Sequence, residues 1–221
     1  TTVHPPFDTR IFHKEAKTLV RAGYEVTLIA QHERDEVVDG VKIVALPKPK
    51  NRFTRIFGLT WRAFWLALRQ KAEVYHFHDP ELLPVGVLLK LFSRAKIIYD
   101  VHEDVPEQIL TKHWIPKHLR RAVATGFNMV EKPLARAMDA VVAATEGIAE
   151  KFARFSAVVV HNYPDLGMLP NPSIGKDRDR KVLVYVGGIS KLRGAFEMVR
   201  ALEHLTHIDG LRLDLIGRFE P

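Results

Sequence analysis

Short apolar runs that alternate with helical patterns constrain this chain more than any other feature. Val26-Thr27-Leu28-Ile29-Ala30, Ala95-Lys96-Ile97-Ile98-Tyr99 and Ala140-Val141-Val142-Ala143-Ala144 are too short and too apolar for surface helices. They read as strands buried on both faces, the environment of a parallel sheet covered by helices. Val41 to Leu46, Glu73 to Phe77 and Ala157 to Val160 look similar. Helical periodicity lies between these runs. Arg10 to Ala22 places Ile11, Ala16, Leu19 and Val20 near one face, with Gly23 as C-cap. Phe53 to Leu68, Leu82 to Phe92 (apolar enough to be buried), Leu119 to Ala137 and Glu146 to Phe155 are the others. Strands that alternate with helices build βαβ units, so the predicted class is α/β with a doubly wound parallel sheet.

A chain of 221 residues is long for one average domain and short for two. The rhythm breaks over Asn162 to Arg180, which holds three prolines, two glycines and the charged run Lys176-Asp177-Arg178-Asp179-Arg180. That is linker composition. A new β-α-β pattern follows in Lys181 to Val186, Gly194 to Leu205 and Leu211 to Ile216. The expected organisation is therefore a Rossmann-like domain over 1–165, then a linker and the start of a second domain over 166–221. Thr1 to Pro6 reads as a loop that follows a strand, and Gly217 to Pro221 stops just after one. The expectation is that the first strand is missing and the second domain incomplete.

The chain has no cysteine, which excludes disulfides, thiolate zinc sites and cysteine nucleophiles. It carries a net charge of +7, which favours a polyanionic partner. It contains neither an apolar run of spanning length nor a visible signal peptide, so a cytoplasmic location is expected. The segment 51–71 mixes Arg52, Arg55, Arg62, Arg69 and Lys71 with Phe53, Phe57, Trp61, Phe64 and Trp65. Either it packs as a helix with a solvated basic face, or it lies on an anionic membrane as a peripheral contact on the inner face. Lys112 to Arg121, with Trp114, forms a second basic aromatic patch. No nucleic-acid recognition motif is present, and no nucleic acid is expected as a partner.

In open α/β sheets, ligands bind beyond the carboxyl ends of the strands. The residues expected there are His4, Asp8 and Arg10 in the opening loop, then Gln31 and His32, then His78, Asp79 and Glu81. Asp100, His102, Glu103 and Asp104 come next, then Thr145 and Glu146, then His161 and Asn162. His102 follows a buried strand closely enough to face a cleft, with a carboxylate beside it to orient it; the alternative is a histidine that caps the next helix. His76, His78 and Asp79 invite a metal reading, but no further partner can be assigned, so no metal is expected. Gly187 and Gly188 follow a strand and precede Lys191-Leu192-Arg193-Gly194. This reads as a phosphate cradle, or else as a tight turn with solvated charges.

His4-Pro5-Pro6-Phe7-Asp8-Thr9-Arg10-Ile11-Phe12, His76-Phe77-His78-Asp79-Pro80-Glu81-Leu82, Tyr99-Asp100-Val101-His102-Glu103 and Tyr185-Val186-Gly187-Gly188 resemble glycosyltransferase family 4, retaining enzymes of the GT-B fold. The resemblance implies two Rossmann-like domains around a cleft. It implies transfer from a nucleotide-diphosphate sugar to a glycan or lipid-linked acceptor in cell-envelope or polysaccharide synthesis, without a cofactor. His102 stands where the family histidine contacts the donor sugar, and Asp8 where the first loop approaches donor and acceptor; these two are the expected catalytic residues. His4, Arg10, His78, Asp79 and Glu103 would line the acceptor side, and Gly187, Gly188, Lys191 and Arg193 would hold the diphosphate. In the family two cations do this. Here Gly188 takes the arginine position and Arg193 the lysine position, leaving Lys191 to stand in. The family's pair of glutamates would lie beyond Pro221, so the 221-residue chain alone is expected to be inactive. A nicotinamide dehydrogenase is disfavoured because Thr2 to Arg10 contains no glycine. The remaining alternatives are a nucleotide-sugar epimerase and a non-catalytic membrane-docking module.

Overall fold

The computed structural model describes residues 1–112, 114–153, 157–164, 166–168 and 181–219. Most of the expected linker, with its charged run, lies outside these residues, as do residues 154–155 of the expected last helix of the first domain. The chain divides into two compact units, Thr1–Leu166 and Gly167–Pro221.

In the first unit, β1 (Thr27–Gln31), β2 (Glu36–Val38) and β3 (Val41–Leu46) form one sheet in the order β1-β3-β2. β4 (Val74–Phe77), β5 (Lys96–Val101), β6 (Ala140–Ala143) and β7 (Ala157–Val159) form a second, in sequence order. Every pairing is parallel except β2 with β3. That exception is a hairpin at Asp39-Gly40, both with positive φ (+50° and +80°). Asp-Gly is the sequence that a two-residue turn of matching twist favours, and the reading by apolar runs passed over it. β1 and β6 alternate buried with half-buried positions rather than burying both faces. The apolar runs marked the strands correctly but overstated how fully each is covered.

The helices are α1 (Lys17–Arg21), α2 (Thr60–Gln70), α3 (Leu83–Phe92), α4 (Val105–Thr111), α5 (Lys117–Arg136) and α6 (Glu146–Lys151). Wide π-type turns, Thr9–Ala16 and Thr54–Leu59, lead into α1 and α2. The first of these shifts the helical phase, so Ile11, Phe12 and Ala16 are buried while Leu19 is exposed. α3, apolar enough in sequence to be buried, buries Leu83, Val85 and Leu89 but leaves its end, Leu91 and Phe92, exposed. One core joins β4–β6 to α2, α3 and the end of α5, centred on Phe77, Leu83, Ile97, Tyr99 and Val141. A smaller core lies between β1, β3 and the first helical segment.

Gly86 lets α3 approach the sheet. A Cβ there would stand 2.7 Å from a ring carbon of Phe77 and 3.0 Å from the sulfur of Met138. The Phe77 ring is stacked on Tyr99 at 5.2 Å and has no room to retreat. Gly86→Val is expected to lower the unfolding free energy by about 1–3 kcal/mol through overpacking, measured by urea denaturation; an unchanged midpoint would mean that α3 can slide.

In the second unit, β8 (Val182–Val186) pairs in parallel with β9 (Arg212–Ile216), and α7 (Ala195–Ala201) lies between them in sequence.

Candidate active site

A group of titratable residues of the first unit gathers where β4 and β5 end. β5 delivers Asp100, fully buried, and His102 just beyond its last residue. β4 delivers His76 and, one residue past its end, His78. The π-turn supplies Arg10 and Glu15. Period-two alternation puts residues 76 and 78, and 100 and 102, on common sides of their strands.

Asp100 is the hub. Its Oδ2 accepts a hydrogen bond from Arg10 Nη2 at 2.8 Å and lies 3.5 Å from His76 Nε2. Its Oδ1 lies 3.6 Å from His102 Nδ1 and 4.0 Å from His78 Nδ1. Burial alone would raise the Asp100 pKa, but the close imidazoles of His102, His76 and His78 and the hydrogen-bonded Arg10 outweigh it and hold the carboxyl well below the usual range. The same contact with Asp100 raises the pKa of His102. Burial pushes His78 far down, helped by His76 beside it, so His78 is neutral. Glu15 is pushed up to about 8, first by burial and then by the charge of Asp100.

His4 closes the front of the cluster. Its Nε2 is 3.2 Å from His102 Nε2 and 3.5 Å from an Asp79 oxygen. Asp79 is almost fully buried, and its Oδ2 accepts from the Thr2 amide at 2.5 Å and the Thr1 hydroxyl at 2.8 Å. Asp79 thus fixes the opening segment. Asp8 caps the π-turn: its Oδ1 accepts from the amides of Arg10 and Ile11 at 2.8 and 3.0 Å, while Oδ2 lies 3.7 Å from His4 Nδ1. Glu103 is exposed beside His102. Of the residues expected on the acceptor side, His4, Arg10, His78 and Asp79 join His102 in one network. Arg10, His78 and Asp79 are buried within it instead of lining an open surface.

Sequence reasoning missed Glu15. Its spacing from Arg10 on a helical segment was the available signal, but only the π-turn brings both toward β5. Arg10 Nε lies 2.9 Å from Glu15 Oε1, without the alignment of a hydrogen bond. Tyr99 donates to the buried Glu131 at 2.8 Å, a second polar contact that the strand pattern did not reveal.

In the second unit, Gly187 has φ +154°, and a Cβ on Gly217 would stand 1.7 Å from the Gly187 carbonyl oxygen, so the strand ends approach at glycine distance. Tyr185 OH donates to the Gly188 carbonyl at 2.9 Å. Lys191–Arg193 form a single 3-10 turn before Gly194, φ +77°. The amides of Arg193 and Ala195 donate to the Ser190 carbonyl, and that of Gly194 to Lys191. Three amides at this helix start, those of Arg193, Gly194 and Ala195, are therefore engaged within the turn. The positive charge at this place rests on the Lys191 and Arg193 side chains, both exposed.

Residues 9–164 match the family described as glycosyl transferase 4-like domain. No curated protein matches. Among solved structures, sucrose-phosphate synthase from Thermosynechococcus elongatus aligns with a TM-score of 0.68 at 14% identity, over 97% of this chain and 58% of that one. The chain therefore spans less than two thirds of that protein's length, and a likeness at this identity is one of fold.

Proposed function

Since the chain belongs to the glycosyl transferase 4-like family and has an α/β fold of the GT-B type, we propose that it is part of a retaining glycosyltransferase. Its donor is a nucleotide-diphosphate sugar, and its acceptor a glycan or lipid-linked intermediate of envelope or polysaccharide synthesis. The observation that carries this reading is His102, held by buried Asp100 and facing His4 at the carboxyl edge of β5. Departure of a nucleoside diphosphate builds negative charge on the phosphate oxygens, and preorganised donors that meet this charge accelerate the step. Asp100 favours the imidazolium form of His102, which gives it a proton to present to the reacting sugar or its phosphate. Lys191 and Arg193 supply cations to the diphosphate. His4 and Asp8 bear on the acceptor hydroxyl.

The test has two parts. Sugar nucleotides are screened against the chain by thermal shift, where a bound donor raises the midpoint by mass action. Products are then analysed in a polypeptide extended to include the glutamate pair that the family resemblance places further on. Acceptor-dependent transfer with release of nucleoside diphosphate supports the proposal. An epimerised sugar formed without acceptor would turn it into the epimerase reading.

A peripheral membrane contact on the cytoplasmic face accompanies this reading. No helix among the described residues is long and apolar enough to cross a membrane. However, Phe53, Phe57, Trp61 and Trp65 are all exposed along one stretch, and Phe53 packs on Phe57 at 4.7 Å. The Arg52 guanidinium lies 4.8 Å over the Trp114 ring, joining the two basic aromatic patches. Residues 48–71 contain seven Lys or Arg and no Asp or Glu. Arg55 is paired with Glu81 at 3.0 Å, but exposed aromatics among an excess of cations suit an anionic bilayer surface. A Phe57→Ser, Trp61→Ser variant is expected to lower partitioning onto phosphatidylglycerol vesicles at least about tenfold, since each lost ring removes roughly 1.5–3 kcal/mol of burial. Equal binding of variant and wild type in a flotation assay would remove the contact.

A further inference from the structure

We propose that Glu15, His76, His78 and Asp100 form a binding site for one divalent transition-metal ion, with Zn²⁺ the best chemical match. One ligand atom from each lies within 4.8 Å of all the others. Metal–ligand bonds of about 2.0–2.2 Å in a tetrahedral shell separate ligand atoms by about 3.3–3.6 Å. Two contacts already have that spacing: His76 Nε2 to Asp100 Oδ2 and His78 Nε2 to Glu15 Oε2, both 3.5 Å. Only a small contraction of the remaining pairs completes the shell.

The second observation is independent of the spacing. Two of these ligand atoms, Glu15 Oε2 and His76 Nε2, are covered from solvent yet make no hydrogen bond, and so are Glu15 Oε1, Asp100 Oδ1, His78 Nδ1, His102 Nδ1 and Arg10 Nε around them. His78 and Asp100 are more than nine-tenths buried. Buried polar atoms are nearly always partnered, and a group of them converging on one point calls for an occupant. Two imidazoles with two carboxylates are a donor set for zinc and its neighbours, whereas magnesium and calcium prefer oxygen alone.

Arg10 approaches the same carboxylates, but it takes one oxygen of each: Glu15 Oε1 and Asp100 Oδ2. Glu15 Oε2 remains for an ion, and Asp100 Oδ2, with two lone pairs, can meet both Arg10 and an ion, leaving Oδ1 to His102. A guanidinium behind two ligating carboxylates fixes their orientation as an outer partner. The ion ties the π-turn to the ends of β4 and β5, the elements that present His102. It involves neither Asp79, the third residue of the sequence-level metal reading, nor His4 or His102.

Metal-free chain, prepared by chelation and dialysis, is titrated calorimetrically with Zn²⁺ and separately with Mg²⁺, with no sugar nucleotide present. The expected result is uptake of one Zn²⁺ per chain, a higher thermal midpoint in excess Zn²⁺, and no Mg²⁺ uptake. His76→Gln, His78→Gln together are expected to weaken Zn²⁺ binding at least about tenfold, while His161→Gln, outside the cluster, leaves it unchanged. Co²⁺ added to the wild type provides a readout that needs no variant: the visible absorption of a four-coordinate nitrogen and oxygen site is expected. Absence of stoichiometric Zn²⁺ uptake, uptake indifferent to the two histidines, or Co²⁺ that keeps its aqueous spectrum would overturn the site. Because uptake is read without any transfer reaction, this outcome is separate from that of the glycosyltransferase proposal.

Discussion

His102→Gln is expected to slow sugar transfer about 10²- to 10³-fold, the range seen when one preorganised donor is removed from a site of developing negative charge. Glutamine can reach toward the position of Nε2 and donate a hydrogen bond, but it cannot carry the positive charge that Asp100 stabilises on the imidazole. The loss should appear mainly in kcat, because the interaction strengthens as the diphosphate departs; KM for the donor should move less. The measurement is steady-state transfer in a polypeptide that also supplies the expected glutamate pair. His4→Gln, at the outer edge of the cluster 3.2 Å from His102, should have the smaller effect. An unchanged kcat in the His102 variant would remove this residue from the reaction and leave Asp100 as a purely structural hub.

Arg10→Met is the substitution with the largest expected effect on stability, a loss of about 3–5 kcal/mol, read from urea denaturation at constant m-value. Methionine fills much of the volume, so the effect isolates charge. Without the guanidinium, buried Asp100 keeps its desolvation penalty and loses its closest donor, and the Val160 carbonyl loses the 3.1 Å bond that it accepts from Nη1. Against a typical total of roughly 5–15 kcal/mol this is a large fraction. Arg10→Lys should fall in between: it retains the charge but not the planar fork that reaches Asp100, Val160 and Glu15 together. Adding Asp100→Asn to Arg10→Met should recover part of the loss, because the two residues act as a pair. A loss below about 1 kcal/mol would mean that water already solvates this carboxylate.

The fold was legible where apolar runs signal strands: Val41–Leu46 matches β3 end for end, and Glu73–Phe77 and Ala157–Val160 fall within one residue of β4 and β7. The Asp39-Gly40 hairpin and α4 were missed. The hairpin's first strand, Glu36–Val38, is only three residues long, and α4 opens on a polar Asp104-Val105-Pro106-Glu107 start that lacks apolar periodicity. At the site, the rule that ligands meet the carboxyl ends of strands brought His4, Arg10, His78, Asp100 and His102 to one edge. Sequence could not reveal which of them would be buried, because that depends on how the π-turn rotates the first helical segment. The same rotation brings Glu15 inward and leaves Leu19 exposed. The Gly187–Gly194 turn reads as an anion cradle by composition; that its Arg193 and Gly194 amides bond locally to Ser190 and Lys191 is set by backbone geometry that composition does not encode.

Arg10 grips Asp100 and Val160, partners 90 and 150 positions away along the chain. The entropic penalty of closing such loops grows only logarithmically, by about 0.6 kcal/mol per doubling of length, so the longer closure is hardly dearer than the shorter. Lengthening the surface segments between these anchor points would therefore loosen the clasp only slightly. The peripheral connections are thermodynamically free to vary in length, while the residues inside the knot are not free to change.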